Sequence, residues 1–346
     1  MSIWRRSFIP KTSDNSKKRG SFSALFLVLL VLFAVSLFAG ILFGSVRVDF
    51  SSALSSLWTG QMQNPSLRIL LYLRLPRVLA GALAGMGLAV AGVLIQAVLH
   101  NPMAAPNVIG VNSGAGLGAI FMLAVFPSAV SVLPLAAFFG AVLTCLCIYA
   151  ISMKTGADRM TVTLVGIAVS SMLNAGINTV KTLYPDSVYD ADSFMIGGLS
   201  GVTFARILPA GVLIVLGVLV ALFFGLDVDV LSLGDDTAKS LGMNVRGMQL
   251  LLLSLASVLA GAAVSFAGLL GFVGLIVPHI SRKLVGNHHR KLIPVSALGG
   301  GILVLLCDLL SRVLFAPYEL PVGILLSFVG GPFFIGLILW GRKRYD

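Results

Sequence analysis

Val78-Leu-Ala-Gly-Ala-Leu-Ala-Gly-Met-Gly-Leu-Ala-Val-Ala-Gly-Val-Leu-Ile-Gln-Ala-Val-Leu99 is a stretch of 22 residues without a charge, in which Gln96 is the one polar side chain. The silence extends further: no Asp, Glu, Lys or Arg occurs from Val78 to Met153, and none from Gly247 to Ser281. A helix needs about 20 apolar residues to cross the hydrocarbon core of a bilayer. The first run alone is therefore long enough for three crossings. Strands of an outer-membrane barrel alternate polar and apolar positions, and these runs do not. The whole chain agrees: its 346 residues are 58% hydrophobic and 11% charged, with a mean hydropathy of +1.01. That is too little charge to cover a soluble domain. The class is an all-α integral membrane protein.

Breaks at Pro, Gly and charged clusters predict ten transmembrane helices, at 22–44, 78–99, 108–126, 130–152, 161–182, 207–226, 248–267, 269–286, 292–315 and 321–341. The pair 248–267 and 269–286 is divided at Ala267-Gly268-Leu269-Leu270-Gly271, where each half is short for a crossing. Residues 1–21 form a basic tail with Arg5, Arg6, Lys11, Lys17, Lys18 and Arg19 ahead of a single membrane domain, 22–341. The apolar run from Ser21 to Gly44 is too long for the core of a signal peptide and lacks a small-residue cleavage site, so a retained first helix is expected. An even number of spans puts both termini on one side. With the termini inside, the inner segments hold 17 Lys/Arg and the outer segments 7, an excess that places both ends in the cytoplasm. The net charge of +11 is then mostly a topogenic signal, and no nucleic-acid partner is needed to explain it.

Several absences bound the function. No Gly-Lys dipeptide occurs, so the chain has no phosphate-binding loop of the type G-x-x-x-x-G-K-[ST]. Gly114-Ala115-Gly116-Leu117-Gly118 lies in a membrane helix with no preceding strand, and with Gly81/Gly85 and Gly110 it reads as small-residue helix packing. Cys145, Cys147 and Cys307 sit in apolar runs as small buried hydrophobes. His279 and the pair His288-His289 lack Cys or carboxylate neighbours in sequence, so no metal site is assigned. Asp308 is the one carboxylate well inside a span, and Arg312 four residues on reads first as its helix-local ion-pair partner. An ion-driven secondary carrier would be expected to show more midplane carboxylates. A membrane-embedded enzyme would need paired carboxylates or a nucleophile–base set that the spans do not contain. No catalytic residue and no cofactor is expected. A five-residue echo, Val78-Leu79-Ala80-Gly81-Ala82 and Val258-Leu259-Ala260-Gly261-Ala262, would run in opposite directions in this topology, as inverted repeats of transporters do.

Three separated motifs remain. Arg74-Leu75-Pro76-Arg77 precedes the charge-free helix, which is followed by Asn101-Pro102-Met103-Ala104-Ala105-Pro106. Gly234-Asp235-Asp236-Thr237-Ala238-Lys239-Ser240-Leu241-Gly242 is a polar, helix-prone segment between apolar spans. Gly271-Phe272-Val273-Gly274-Leu275-Ile276-Val277-Pro278-His279 leads through Asp308 and Arg312 to Glu319-Leu320-Pro321-Val322-Gly323. This order and spacing resemble the FecCD permease family of ATP-binding-cassette (ABC) importers for iron–siderophores, haem and vitamin B12, over roughly residues 22–341. The resemblance implies ten helices in a permease subunit of a prokaryotic cytoplasmic membrane, working beside a second permease subunit, identical or paralogous. It also implies two cytoplasmic ABC ATPases, an extracytoplasmic substrate-binding protein and surrounding lipid as partners. The cargo, siderophore, haem or corrinoid, would pass as an intact complex.

The resemblance also suggests roles. Arg74, Arg77 and Arg312 lie at outer helix ends, where the plain reading is snorkelling to lipid headgroups. In the resembling family, arginines at these motif positions receive carboxylates of the binding protein, which suits a guanidinium fork. The segment 231–247, with Asp235, Asp236, Ala238, Leu241 and Gly242, would be the coupling helix that docks on the ATPase. Its aspartates would cap the helix and a small apolar patch would include Ala238, Leu241 and Met243. Ser171, Asn174, Asn178 and Lys181 fall on one helix face and either satisfy neighbouring helices or line a watery translocation path. The segment from Tyr184 to Phe194 fits a short helix near the entrance.

Overall fold

The computed structural model describes residues 13–342, apart from 61–62, 108, 130, 155–158 and 186–187. Most of the expected basic tail, residues 1–12, lies outside the described residues. Among them the chain is helix and turn, without a strand. In order, the helices are α1 (Ser13–Leu42), α2 (Phe50–Thr59), α3 (Pro65–Arg68), α4 (Leu75–Val98), α5 (Val111–Val125), α6 (Leu133–Lys154), α7 (Arg159–Leu183) and α8 (Val188–Ile196). There follow α9 (Phe204–Phe223), α10 (Gly225–Leu231), α11 (Asp235–Ser240), α12 (Val245–Ala267), α13 (Val273–Val285), α14 (His289–Val313) and α15 (Val322–Arg342). Each of the ten expected spans corresponds to one of the long helices. By length and apolarity seven of these qualify as membrane-crossing, with α5 and α15 as shorter apolar helices.

A helix that is apolar all round has no face to offer water, so it takes the middle of a bundle. The charge-free stretch does this as α4, buried along most of its length and packed by α14, α12, α13 and α9. Small residues set the spacing. A Cβ added at Gly85 would run into the Gly300 carbonyl of α14, and one at Gly92 into the Gly274 carbonyl of α13. The glycine-rich stretch on α5 packs in the same way, Gly114 and Gly118 lying against Gly140 and Ala136 of α6. Without water between helices, close backbone approach of this kind is what holds them together. The two Val-Leu-Ala-Gly-Ala copies fall on α4 and α12, which pack against each other.

Two boundaries differ from expectation for clear reasons. The helical rod that contains α4 starts at Pro65, not at 78, and runs to Val98. Pro76 was expected to break it, but Pro stands in the first turn of α4, and a π-helical turn over Ile69–Arg74 joins α3 to α4. A wider turn accommodates the missing donor and the ring of the proline. At the other end, Pro102, Pro106 and the left-handed Gly110 (φ 73°) delay α5 until Val111.

The division of 248–286 into two helices is real. The chain leaves α12 at Gly268 (φ 68°) and enters α13 after Phe272 (φ 66°). With 13 residues, α13 spans about 20 Å, less than the hydrocarbon thickness. Irregular backbone at membrane depth must find partners inside the protein. Here Gly198 N–H donates to the Ala267 carbonyl (2.9 Å), Leu269 N–H to Phe194 (3.1 Å) and Gly323 N–H to Gly197 (3.1 Å). The end of α8, the α12–α13 break and the start of α15 are thereby tied into one knot.

Candidate functional site

Three places gather the chemistry: the end of the bundle where α1 finishes and α4 begins (the upper end), a groove over the α12–α13 break, and the opposite, lower end that carries α11.

At the upper end α1 terminates and leaves carbonyls without helical partners. Arg74, the last residue of the π-turn, donates from Nη1 to the carbonyls of Ile41 (2.8 Å) and Leu42 (2.7 Å), and from Nη2 to Val46. Arg312 on α14 donates to Gly40 (3.0 Å) and Phe43 (3.2 Å). The two guanidinium groups cap α1 from either side. Arg77, one turn along α4, sends Nε to Asp308 Oδ1 (2.9 Å) and Nη1 to Glu319 Oε2. Arg312 Nε also lies 3.1 Å from Asp308 Oδ2, the helix-local pair expected from the i, i+4 spacing. Ser45 donates to the second Glu319 oxygen.

The three arginines therefore do not snorkel. Arg74 and Arg312 are 6% and 2% exposed, held by carbonyls and carboxylates of their own chain. Burying a guanidinium requires that it be paired, and Asp308, 1% exposed, is the fixed counter-charge. Glu319 stands on the connection between α14 and α15 and its side chain keeps 30% exposure. Its partial burial would raise its carboxyl pKa. The hydrogen bonds from Ser45 and Arg77, with the charges of Arg77 and Arg312, outweigh that and hold it below the ordinary glutamate range. A cavity of about 260 Å³ opens here, lined by Arg74, Arg77, Arg312, Glu319, Ser45 and Tyr72 among others. Three guanidinium groups against two carboxylates leave it net positive.

The groove is larger, about 670 Å³, and lies over the backbone knot. Asn112, Met195, Ser327 and Phe328 line it together with Leu269 and Gly271 of the break. Ser171, Asn174 and Asn178 are exposed on α7, beside Met172 at 77% exposure. Ser171 satisfies its donor on the Ile167 carbonyl (2.9 Å). Lys181, half-buried, pairs with Asp192 of α8 at 2.6 Å. The stripe expected on α7 thus splits: three members face outward from the chain, while the lysine ties α7 to α8.

At the lower end α11 forms a short helix with Asp235 and Asp236 in its first turn. Ala238, expected in an exposed patch, is fully buried, and Met243 packs on the core. The exposed apolar side chains are Leu233 and Leu241, 63% and 64% exposed. Gly242 follows in a left-handed conformation (φ 85°). The segment is anchored from above. Asp229 of α10 accepts from the His289 N–H (2.8 Å) and faces its Nδ1 (2.6 Å), capping the start of α14. His100 Nε2 lies 2.8 Å from the Leu231 carbonyl. His289, which the sequence left without a role, and His100 are therefore brackets between α10 and the ends of α14 and α4. Glu319 and Asp229 drew no role in the sequence reading. Glu319 stood in plain view before Leu320-Pro321, but its partner is 242 positions away.

Among the described residues, a bundle of apolar helices with an ion cluster at one end, a groove over the α12–α13 break and a short anchored helix at the other end defines the membrane-spanning subunit of a transporter. The chain belongs to the FecCD transport family, which it matches over residues 29–340. It is 38% identical to the Fe(3+)-citrate import system permease protein YfmD of Bacillus subtilis over 333 residues, 95% of this chain and 99% of that one. It is 35% identical to the hemin transport system permease protein HmuU of Yersinia pestis, over 92% of this chain and 95% of that one. A solved metal-chelate type ABC transporter in an inward-facing conformation superposes with a TM-score of 0.81 at 26% identity, covering 92% of this chain and 99% of the other. The chain is accordingly an ABC importer permease, a multi-pass transport subunit and not an enzyme.

Proposed function

We propose that this permease carries an iron(III)–siderophore complex across a prokaryotic cytoplasmic membrane, with both termini in the cytoplasm. The observation that carries the reading is the combination of the iron(III)-citrate likeness along nearly the full chain with a groove of neutral polar, apolar and aromatic side chains. Such a lining suits a bulky chelate that keeps its own metal ligands. Relatives that carry haem and cobalamin in their names keep those two cargoes as the competing outcomes. Uptake of iron-55 chelate, haem and cyanocobalamin by the reconstituted importer decides among them. Uptake of haem or the corrinoid alone would replace the siderophore reading.

In this reading the upper end faces outward and the lower end faces the cytoplasm. Acidic side chains of a substrate-binding protein dock at the net-positive cavity through Arg77, while Arg74 and Arg312, buried and held by their own chain, add positive field from beneath it. The segment 231–247 meets the ABC ATPase through Leu241, the Asp235–Asp236 turn and the Gly242 bend, and Ala238 supports it from within. The exposed face of α7, with Ser171, Asn174 and Asn178, lines the path together with a second permease subunit, and Lys181 holds α8 at its entrance.

A further inference from the structure

We propose that Arg77 is a carboxylate-exchange site whose resident occupant is the chain's own Glu319, displaced when an acidic side chain of the binding protein docks. This rests on the docking reading above and says how the docked state is registered. The two carboxylates at Arg77 are not equivalent. Asp308 is rigid: it lies on α14, is 1% exposed, and sits between Arg77 and Arg312. Glu319 lies on the connecting segment between α14 and α15, keeps 30% side-chain exposure, and is reached from the cavity that opens at the upper end. A fork such as Arg77 presents parallel donors to a carboxylate, and here Nε serves Asp308 while Nη1 serves Glu319.

A guanidinium that is 11% exposed does not stay unpaired at low cost. The undocked state therefore holds its own counter-charge, and docking replaces one carboxylate by another with little net desolvation. Release of Glu319 adds a unit of positive charge to the space an incoming carboxylate enters. It also breaks the Ser45 contact that links the α1–α2 connection to this segment. The consequence reaches the groove directly. Two residues separate Glu319 from α15, whose first turns supply Gly323, Ile324, Ser327 and Phe328 to the groove lining, and Gly323 is bonded to the backbone knot at Gly197. Exchange at Arg77 thus moves the root of a groove-lining helix.

The test uses the complete importer, permease with its ATPase in nanodiscs, and its purified binding protein. Glu319→Gln removes the competing charge and keeps the side-chain shape. Docking should tighten roughly threefold to tenfold, chiefly through slower dissociation, and the gain should persist at high salt, where a mere change in surface field is screened. Ser45→Ala loosens Glu319 without touching any charge and should shift docking in the same direction by less. Spin labels at positions 72 and 318, both exposed tyrosines, in a background without the three cysteines, should move apart on docking. In Glu319→Gln they should already be apart before it. Unchanged affinity in both variants, or a label separation indifferent to docking, overturns the exchange. Arg77→Lys keeps the charge but loses the fork. If it docks like the wild type, the arginine docking reading itself fails. If it docks poorly while Glu319→Gln is neutral, docking stands and only the exchange is wrong.

Discussion

Arg312 carries two duties at once, and removing it exposes both. Its guanidinium caps α1 at Gly40 and Phe43 and neutralises Asp308. Arg312→Leu leaves a carboxylate with part of its counter-charge gone at a buried site, a class of change that costs about 3–5 kcal/mol. Thermal unfolding in detergent should show a large loss for Arg312→Leu and for Asp308→Asn, with strong non-additivity in the double variant. Additive losses would mean that the two side chains do not act as a pair. Glu319 adds a pH dependence of known sign. Its folded-state pKa is depressed, so its stabilising contacts are complete above the pKa of the unfolded chain and are lost as the pH falls through the lower, folded value. The hydrogen-exchange protection of the segment around Tyr318, corrected for the intrinsic pH dependence of exchange, should be flat from pH 8 to the ordinary glutamate range and should fall only in more acid solution. A loss of protection near neutrality would show that the carboxyl is not held in its charged form.

At the scale of elements, two contacts decide how helices sit together and how one of them signals. α4 and α14 cross where Gly85 faces Gly300 with no space for a Cβ. Gly85→Leu has nothing flexible to push aside, so overpacking of at least about 1–3 kcal/mol is expected. It should be read as lower yield and earlier unfolding than Gly336→Leu, a position with no atom near its missing Cβ. Equal behaviour of the two variants would argue against close α4–α14 packing. At the C-terminal cap of α11 the exposed Leu241 is, with Leu233, a side chain that can enter an apolar cleft. Leu241→Asp should leave the permease inserted and folded while uncoupling ATP hydrolysis from transport, because a carboxylate entering such a cleft must be desolvated. Transport at the wild-type rate by this variant would remove Leu241 from the interface. Ala238→Asp is the less informative change, since Ala238 is buried within its own chain and a charge there threatens folding first.

For the whole molecule, the division of labour is the main prediction. Reconstituted alone, the chain should hydrolyse no ATP, since it has no phosphate-binding loop; hydrolysis by the pure polypeptide would contradict its place as a transport subunit. A single cysteine at position 241 should react with an impermeant reagent only from the cytoplasmic side, and one at 318 only from outside. The reverse pattern would invert the topology and with it the assignment of docking and coupling ends.

What the sequence determined by itself was the class and the division into spans, because bilayer crossing is a one-dimensional constraint. Charge-free runs such as Val78–Leu99 and breakers such as Gly268 report it residue by residue, and even the short α12–α13 division was legible at Ala267–Gly271. The i, i+4 pairing of Asp308 with Arg312 was legible too, since helix periodicity alone brings them together. The tertiary structure alone decided which partner each polar group finds across the bundle. Arg77 meets Asp308 and Glu319 over more than 200 positions, Arg74 meets carbonyls of α1, and Ala238 turns inward while Leu241 turns out. Those pairings depend on the packing of α4 against α14 and α1. That packing is set by small residues and close backbone approach, whose pattern along the chain does not say which helix lies opposite.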